Sequence, residues 1–196
     1  MRNDLAALVG SRICHDLISP LGAIGNGVEL LTLTNGDTDA EIALINDSVE
    51  NANARIRFFR IAYGAARAEQ FVPRTEVLSV LADTARGGRF GYVWKVEGDQ
   101  PRPEVRIAFL LLQCVESGLP AGGDIQISED HGTWQIVGTG PRKNIDQVLW
   151  ETLTNPRLKF SHSAAQVQFA MLPEVARDAR RTLSIDLDGD HIIARF

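Results

Sequence analysis

The chain has 196 residues, 44% of them hydrophobic and 23% charged, and a net charge of -5. That is the balance of an ordinary soluble protein folding as one compact domain or two small ones. A negative charge with no long basic run argues against nucleic acid as a partner, because phosphate backbones are met by a basic face. No apolar run approaches the ~20 residues needed to span a bilayer, and the N-terminus carries no signal-peptide pattern. The expectation is a cytoplasmic protein with no membrane contact. Cys14 and Cys114 stand far apart in no paired motif, which argues against a disulfide framework or a zinc site and fits a reducing compartment.

The first element is a long helix. Apolar or small residues recur at Cys14, Leu17, Leu21, Ile24, Val28 and Leu31, in steps of three and four. A second helix repeats the pattern more cleanly at Ile42, Ile45, Val49, Ala52, Ile56, Phe59 and Tyr63, a heptad seam held for three repeats. Between them, Thr34-Asn35-Gly36-Asp37-Thr38-Asp39 is rich in residues that cap helices and tolerate left-handed backbone. The pair predicts an antiparallel hairpin. A lone hairpin cannot bury a seam on both sides, so a homodimer closing a four-helix bundle is expected. Taken alone, the helices are equally compatible with a purely structural bundle.

A linker containing Phe71-Val72-Pro73 separates residues 1–70 from residues 74–196. The second part reads as mixed α and β: a helix over 75–86, a strand over 91–97, an apolar helix over 105–117, strands over 124–128 and 133–137, helices over 144–153 and 164–181, and a terminal hairpin of 183–187 with 191–196. The expected class is α+β, with a three-helix layer on one face of a mixed sheet.

One histidine decides between the readings of the first helix. His15 lies in Ser11-Arg12-Ile13-Cys14-His15-Asp16-Leu17-Ile18-Ser19-Pro20-Leu21. At about 100° per residue it stands roughly 130° from the centre of the apolar seam, so it faces solvent. Ser11, Ile18, Ser19, Gly22 and Asn26 share that face, and small residues there let another protein's surface come close. Ile18 is an exposed apolar contact one turn away. A neutral imidazole attacks phosphorus, and a pKa of ~6.5 keeps the ring mostly neutral near pH 7. Pro20 removes a helix hydrogen bond and crowds the residue 16 carbonyl, so a bend is expected one turn past His15. If the turn centres near residue 35, His15 lies level with Arg55, Arg57 and Arg60 on the second helix. Outward arginines there would neutralise a phosphoryl group or an acidic partner pocket. The alternative is solvated surface charge offset by Asp47 and Glu50. His131, His162 and His191 have no metal-ligand spacing to another histidine or cysteine and read as structural or solvated.

The segment His15-Asp16-Leu17-Ile18-Ser19-Pro20-Leu21 resembles the phospho-acceptor box of two-component histidine kinases, His-Asp/Glu-x-x-x-Pro-Leu, with every defining position filled. Over the whole chain the sequence resembles the ChpT-type histidine phosphotransferases, most strongly over residues 8–31 and more weakly after about residue 75. The resemblance implies a dimerisation hairpin joined to an α/β sandwich like the kinase ATP-binding domain. It implies His15 and Asp16 as catalytic residues, with Asp16 orienting the ring or taking its proton. Together with the surface reading, it makes Ser11, Arg12, Ile18, Ser19, Gly22, Asn26, Arg57 and Arg60 the partner-binding candidates.

The ATP-binding likeness is degenerate. Leu110-Leu111-Leu112-Gln113-Cys114-Val115-Glu116-Ser117 and then Pro120-Ala121-Gly122-Gly123 are similar to the N box and its following loop, yet Gln113 replaces the magnesium-holding asparagine. No aspartate precedes Gly138-Thr139-Gly140, a motif that reads equally as a tight turn. Ala164-Ala165-Gln166-Val167-Gln168-Phe169 replaces a glycine-rich box whose amides would approach phosphates. The implied function is therefore a phosphorelay through His15 between receiver-domain aspartates, with a hybrid-kinase receiver and response-regulator receivers as partners. No cofactor or metal is expected on this chain, magnesium is expected on the partner receiver, and no autokinase activity is expected. No input domain is expected on the chain. The alternatives are an active histidine kinase with an atypical ATP site and a non-catalytic receiver-binding adaptor.

Overall fold

The structure is a computed structural model that describes residues 4–33, 38–86, 88–155, 157–158 and 160–196. Two long helices open it, α1 (Leu5–Leu33) and α2 (Asp39–Ala62). They run side by side in opposite directions: Gly27 of α1 lies against Ile45, and Ser19 and Ala23 lie beside Ser48 and Asn51. The closest approach needs a glycine. A Cβ on Gly27 would meet Ile45 Cγ1 at 2.6 Å. The turn expected between the helices falls on residues 34–37, outside the described residues. α1 continues through Pro20 as one helix.

One chain leaves much of the expected seam open. Leu21, Val28, Ile42, Val49 and Ile56 are all exposed, as are Leu33 and Ile18. A different stripe of α1 is covered instead. Leu5, Leu8, Val9 and Ile13, at i, i+3, i+4 and i+8, pack on the core of the second part of the chain. α1 therefore has two contact faces, one on α2 and one on the sheet domain.

The segment read as a linker holds a two-residue strand, β1 (Phe71–Val72), followed by α3 (Arg74–Ala85), β2 (Phe90–Trp94) and β3 (Gln100–Pro101). β1 and β3 pair antiparallel. Then come α4 (Arg102–Gly118), β4 (Gly123–Asp130), β5 (Thr133–Thr139), α5 (Gln147–Glu151), a 3₁₀ turn at Ala164–Gln166 running into α6 (Val167–Asp178), β6 (Ser184–Asp186) and β7 (His191–Arg195). The main sheet has the order β2-β4-β5-β7-β6, with β2 parallel to β4 and every other pair antiparallel.

Alternation along the strands sets the layers. Ile125 and Ile127, then Trp134 and Ile136, then Ile192 and Ala194 are buried at every second position, so one face of the sheet carries the core and the other meets water. α4 lies on that buried face. Val105 and every residue from Ile107 to Val115 are buried, which is why its sequence is apolar all round rather than on one stripe. α3 and α6 complete the helical layer.

Three elements differ from the sequence expectation. The strand over 91–97 stops at Trp94. The helix over 144–153 shortens to α5, which starts where the Asp146 carboxylate accepts the Leu149 amide. The helix over 164–181 begins as a 3₁₀ turn and ends early, because Arg180 takes a left-handed φ of 58°. The Arg180 and Arg181 amides bond back to the Arg177 and Ala176 carbonyls in a Schellman closure. Among the described residues no helix is long and apolar enough to cross a membrane.

Candidate phospho-acceptor site

α1 builds the site from two adjacent stripes. Arg12 and Asp16, one turn apart, belong to the stripe turned toward the sheet domain, and their side chains are only 21% and 13% exposed. His15 belongs to the next stripe round and is 85% exposed. Asp16 Oδ2 accepts from Arg12 Nε at 2.7 Å, and Asp16 Oδ1 lies 3.0 Å from His15 Nδ1. A carboxylate only accepts, so this contact puts the proton on Nδ1 and leaves the Nε2 lone pair toward solvent. Arg12 also reaches across to the sheet domain, where its Nη1 donates to the Ala165 carbonyl at 3.0 Å.

The exposed residues around the ring are those of the solvent stripe: Ser11, Ile18, Ser19, Gly22 and Asn26. Gly22 has open space above it, with nothing within 4 Å of where a Cβ would stand. Ser19 borders a shallow hollow that continues over Pro20 and Ala23 to Asn51 and Arg55.

Arg57 and Arg60 do not stand free toward a partner, as the hairpin alone suggests. Arg57 donates to Asp83 at 2.8 Å and to Ser79 Oγ at 3.1 Å, and Arg60 to Glu76 at 2.6 Å. Their acids lie on α3, which a reading of the hairpin in isolation leaves out. Of the three arginines, only Arg55 opens onto the hollow beside Ser19, with its Nε on Asn51 at 2.8 Å.

Beneath the site a crevice of about 380 Å³ separates the hairpin from the sheet domain, with Arg12, Asp16, Arg55, Arg89, Gln113 and Glu116 in its walls. Two tyrosines close hydrogen bonds there. Tyr92 donates to Glu116 Oε1 and Tyr63 to Gln113 Oε1, both at 2.7 Å. Burial pushes the Glu116 carboxyl above its ordinary value, against the pull of the Tyr92 hydroxyl and of Arg12 and Arg89. Burial also pushes both tyrosines far above the usual phenol value, so each is a permanent donor.

The positions aligned with nucleotide motifs have other work. Gln113 is buried and occupied by Tyr63. A Cβ on Gly138 would meet Val115 Cγ1 at 2.2 Å, and one on Gly140 would meet the Gly122 carbonyl at 2.5 Å. These two glycines serve close packing of β5 on α4 and of one loop on another. Residues 163–166 form a capping box at the 3₁₀ turn.

The remaining histidines lie apart from the site. His131 sits in the β4–β5 turn at a φ of 48°, and His191 Nδ1 is 3.0 Å from Thr139 Oγ1. His162 lies against Phe160 with ring centres 4.9 Å apart and planes tilted by 56°, and burial lowers its pKa. Among the described residues no group of three or more His, Cys, Asp or Glu is placed to hold a metal ion. Sequence reasoning missed Tyr63, Tyr92 and Glu116, for which no local signal exists. It also missed the bracing of Asp16 by Arg12, for which the four-residue spacing was a signal.

A helical hairpin that turns one acid-braced histidine to solvent, backed by a one-faced α/β sandwich, defines the class. The family described as the histidine phosphotransferase C-terminal domain matches residues 74–191, and the chain belongs to it. The protein phosphotransferase ChpT of Brucella abortus (strain 2308) is 40% identical over 128 residues, 63% of this chain and 60% of that protein. The chain thus spans about 60% of the length of that curated relative. A solved bacterial phosphotransferase superposes with a TM-score of 0.81 at 29% identity, covering 100% of this chain and 96% of that one.

Proposed function

We propose that the chain is a histidine phosphotransferase that relays a phosphoryl group between receiver-domain aspartates through His15. The observation that carries this is the ring itself, 85% exposed with Nδ1 held by Asp16. In the forward step His15 Nε2 attacks the phosphorus of a receiver's aspartyl phosphate. The N–P bond forms as the P–O bond breaks, and the electron pair leaves on the receiver's carboxylate. The ring keeps its Nδ1 proton, and the positive charge it gains lies against Asp16. The reverse step delivers the group to a second receiver. Phosphoryl transfer depends mainly on positioning and charge neutralisation, and the magnesium belongs to the receiver.

Occupation of Gln113 by Tyr63, and the packing roles of Gly138 and Gly140, support a relay that takes its phosphate from a protein rather than from ATP. The open apolar seam at Leu21, Val28, Ile42, Val49 and Ile56 supports a homodimer closed as a four-helix bundle. Ser11, Ile18, Ser19, Gly22 and Asn26 form the surface over which a receiver docks.

The test is to mix the protein with a phosphorylated receiver domain. An acid-labile, base-stable phosphate should appear on His15 and be absent in His15→Ala, while incubation with ATP alone labels neither. Label that persists in His15→Ala, or efficient self-labelling from ATP, would overturn the proposal.

A further inference from the structure

We propose that Arg12 is a positioning residue for His15. It fixes the Asp16 carboxylate against Nδ1 and, through Ala165, makes that hold depend on the sheet domain. The inference rests on the phosphotransferase reading of His15.

Neighbours one apart on a helix do not face each other. Asp16 therefore meets His15 only if its side chain is kept in one orientation. Arg12, one turn earlier, occupies Oδ2 at 2.7 Å and leaves Oδ1 for the ring at 3.0 Å. Helix stabilisation is a weak reason for the Arg12–Asp16 pair, because an acid before the base is the better order at this spacing. The guanidinium is itself held at its far end by the Ala165 carbonyl. The planar fork serves Asp16 and Ala165 at once in a fixed geometry that a lysine ammonium reproduces only in part.

The exposed ring has little packing to lock it. Its tautomer, and so the availability of Nε2, is set by what Nδ1 donates to. Asp16 is that acceptor, and Arg12 is what stops Asp16 from turning away. The other charged groups in the crevice, Arg55, Asp83, Arg86, Arg89 and Glu116, share its walls with Arg12 and Asp16, and His15 is not part of that lining.

The experiment compares wild type, Arg12→Met and Arg12→Lys in two measurements. One is the rate at which a phosphorylated receiver domain transfers to His15. The other is the His15 tautomer balance, read from the ¹⁵N shifts of the uniformly labelled full chain above the imidazole titration. Arg12→Met should slow transfer about tenfold, the low end of what outer partners of functional side chains contribute. It should also shift the ring from the Nδ1–H tautomer toward a mixture. Arg12→Lys should recover part of both. A wild-type rate or a wild-type tautomer balance in Arg12→Met overturns the inference. In particular, slower transfer with an unmoved tautomer makes Arg12 a docking contact only. If wild type accepts no phosphate at all, the phosphotransferase reading fails, and the tautomer measurement still decides what Arg12 does to the ring.

Discussion

Tyr92→Phe should weaken the fold in a way that depends on pH. The substitution keeps the ring and removes one hydroxyl, whose 2.7 Å bond to Glu116 faces the crevice under His15. Hydrogen bonds to charged groups contribute about 1.5–3 kcal/mol, and Glu116 is only partly covered, so about 2 kcal/mol is expected at pH values where Glu116 is ionised. For a chain of this size that is a fall in Tm of about 4–8 °C. The sign with pH follows from the raised Glu116 pKa, whose largest cause is burial. Its contribution to stability is fully present below the ordinary carboxylate value and is lost as pH rises through the raised one. The Tyr92 hydroxyl opposes that rise, so its removal lifts the carboxyl further. The gap between wild type and variant should open as pH climbs through the Glu116 titration and narrow in acid, where the protonated carboxyl makes only a neutral bond. Tyr92 stays protonated throughout, because burial and the Glu116 charge hold its hydroxyl far above the working range. Urea unfolding of both proteins across pH 4–8 measures the gap, and Glu116→Gln in both backgrounds should flatten it. A variant as stable as wild type across the whole range, or a gap that does not change with pH, would refute the reasoning.

Gly138→Ala should cost about 1–3 kcal/mol by overpacking against Val115, and adding Val115→Ala should make the pair less than additive in thermal unfolding. A double-mutant cycle with Arg57→Gln and Asp83→Asn should give a coupling of about 0.5 kcal/mol, since both side chains are about a third exposed. That coupling should shrink in high salt. If the proposed homodimer forms, wild type should be a dimer by light scattering and Val28→Glu combined with Val49→Glu a folded monomer; a wild type that is already monomeric at micromolar concentration refutes the role given to that face.

How much was legible in the sequence depends on whether a signal is local. The uninterrupted apolar run of α4 and the two-residue alternation of β4, β5 and β7 report the face that a residue turns inward, and both were readable; the hairpin's period gave its two helices, though Leu21, Val28, Ile42, Val49 and Ile56 of that seam are exposed. The His15 box was readable for the same reason, since the solvent stripe follows from helical geometry. What could not be read depends on partners far along the chain. Arg57 looks free until α3 brings Asp83 and Ser79 to it. Glu116 looks like a helix-surface acid until β2 delivers Tyr92. The early end of α6 was hidden because its left-handed closing residue is Arg180 rather than a glycine. The stripe Leu5, Leu8, Val9 and Ile13 was available at helical spacing, but the stronger-looking seam beside it drew the assignment.

The last turns of α2 explain why the histidine can stand exposed yet be held from below. Phe58, Phe59, Ile61 and Ala62 are buried in the same core as α4 and the sheet. A helix end leaves its last carbonyls without partners, and here arginines from the start of α4 take them. Arg102 donates to the Arg60 and Ala65 carbonyls at 2.7 and 2.8 Å, and Arg106 to the Ala62 carbonyl at 3.2 Å. Arg57 and Arg60 bind α3 in turn, and Arg86 returns from α3's end to Glu50. The hairpin's base is thus shared with the sheet domain through one apolar core and a belt of directional arginine bonds. His15 lies where the shared base meets the open seam. One stripe of its helix is anchored through Leu8, Arg12 and Ile13, and the next faces water. Rigid support and free access at one residue follow from that placement alone.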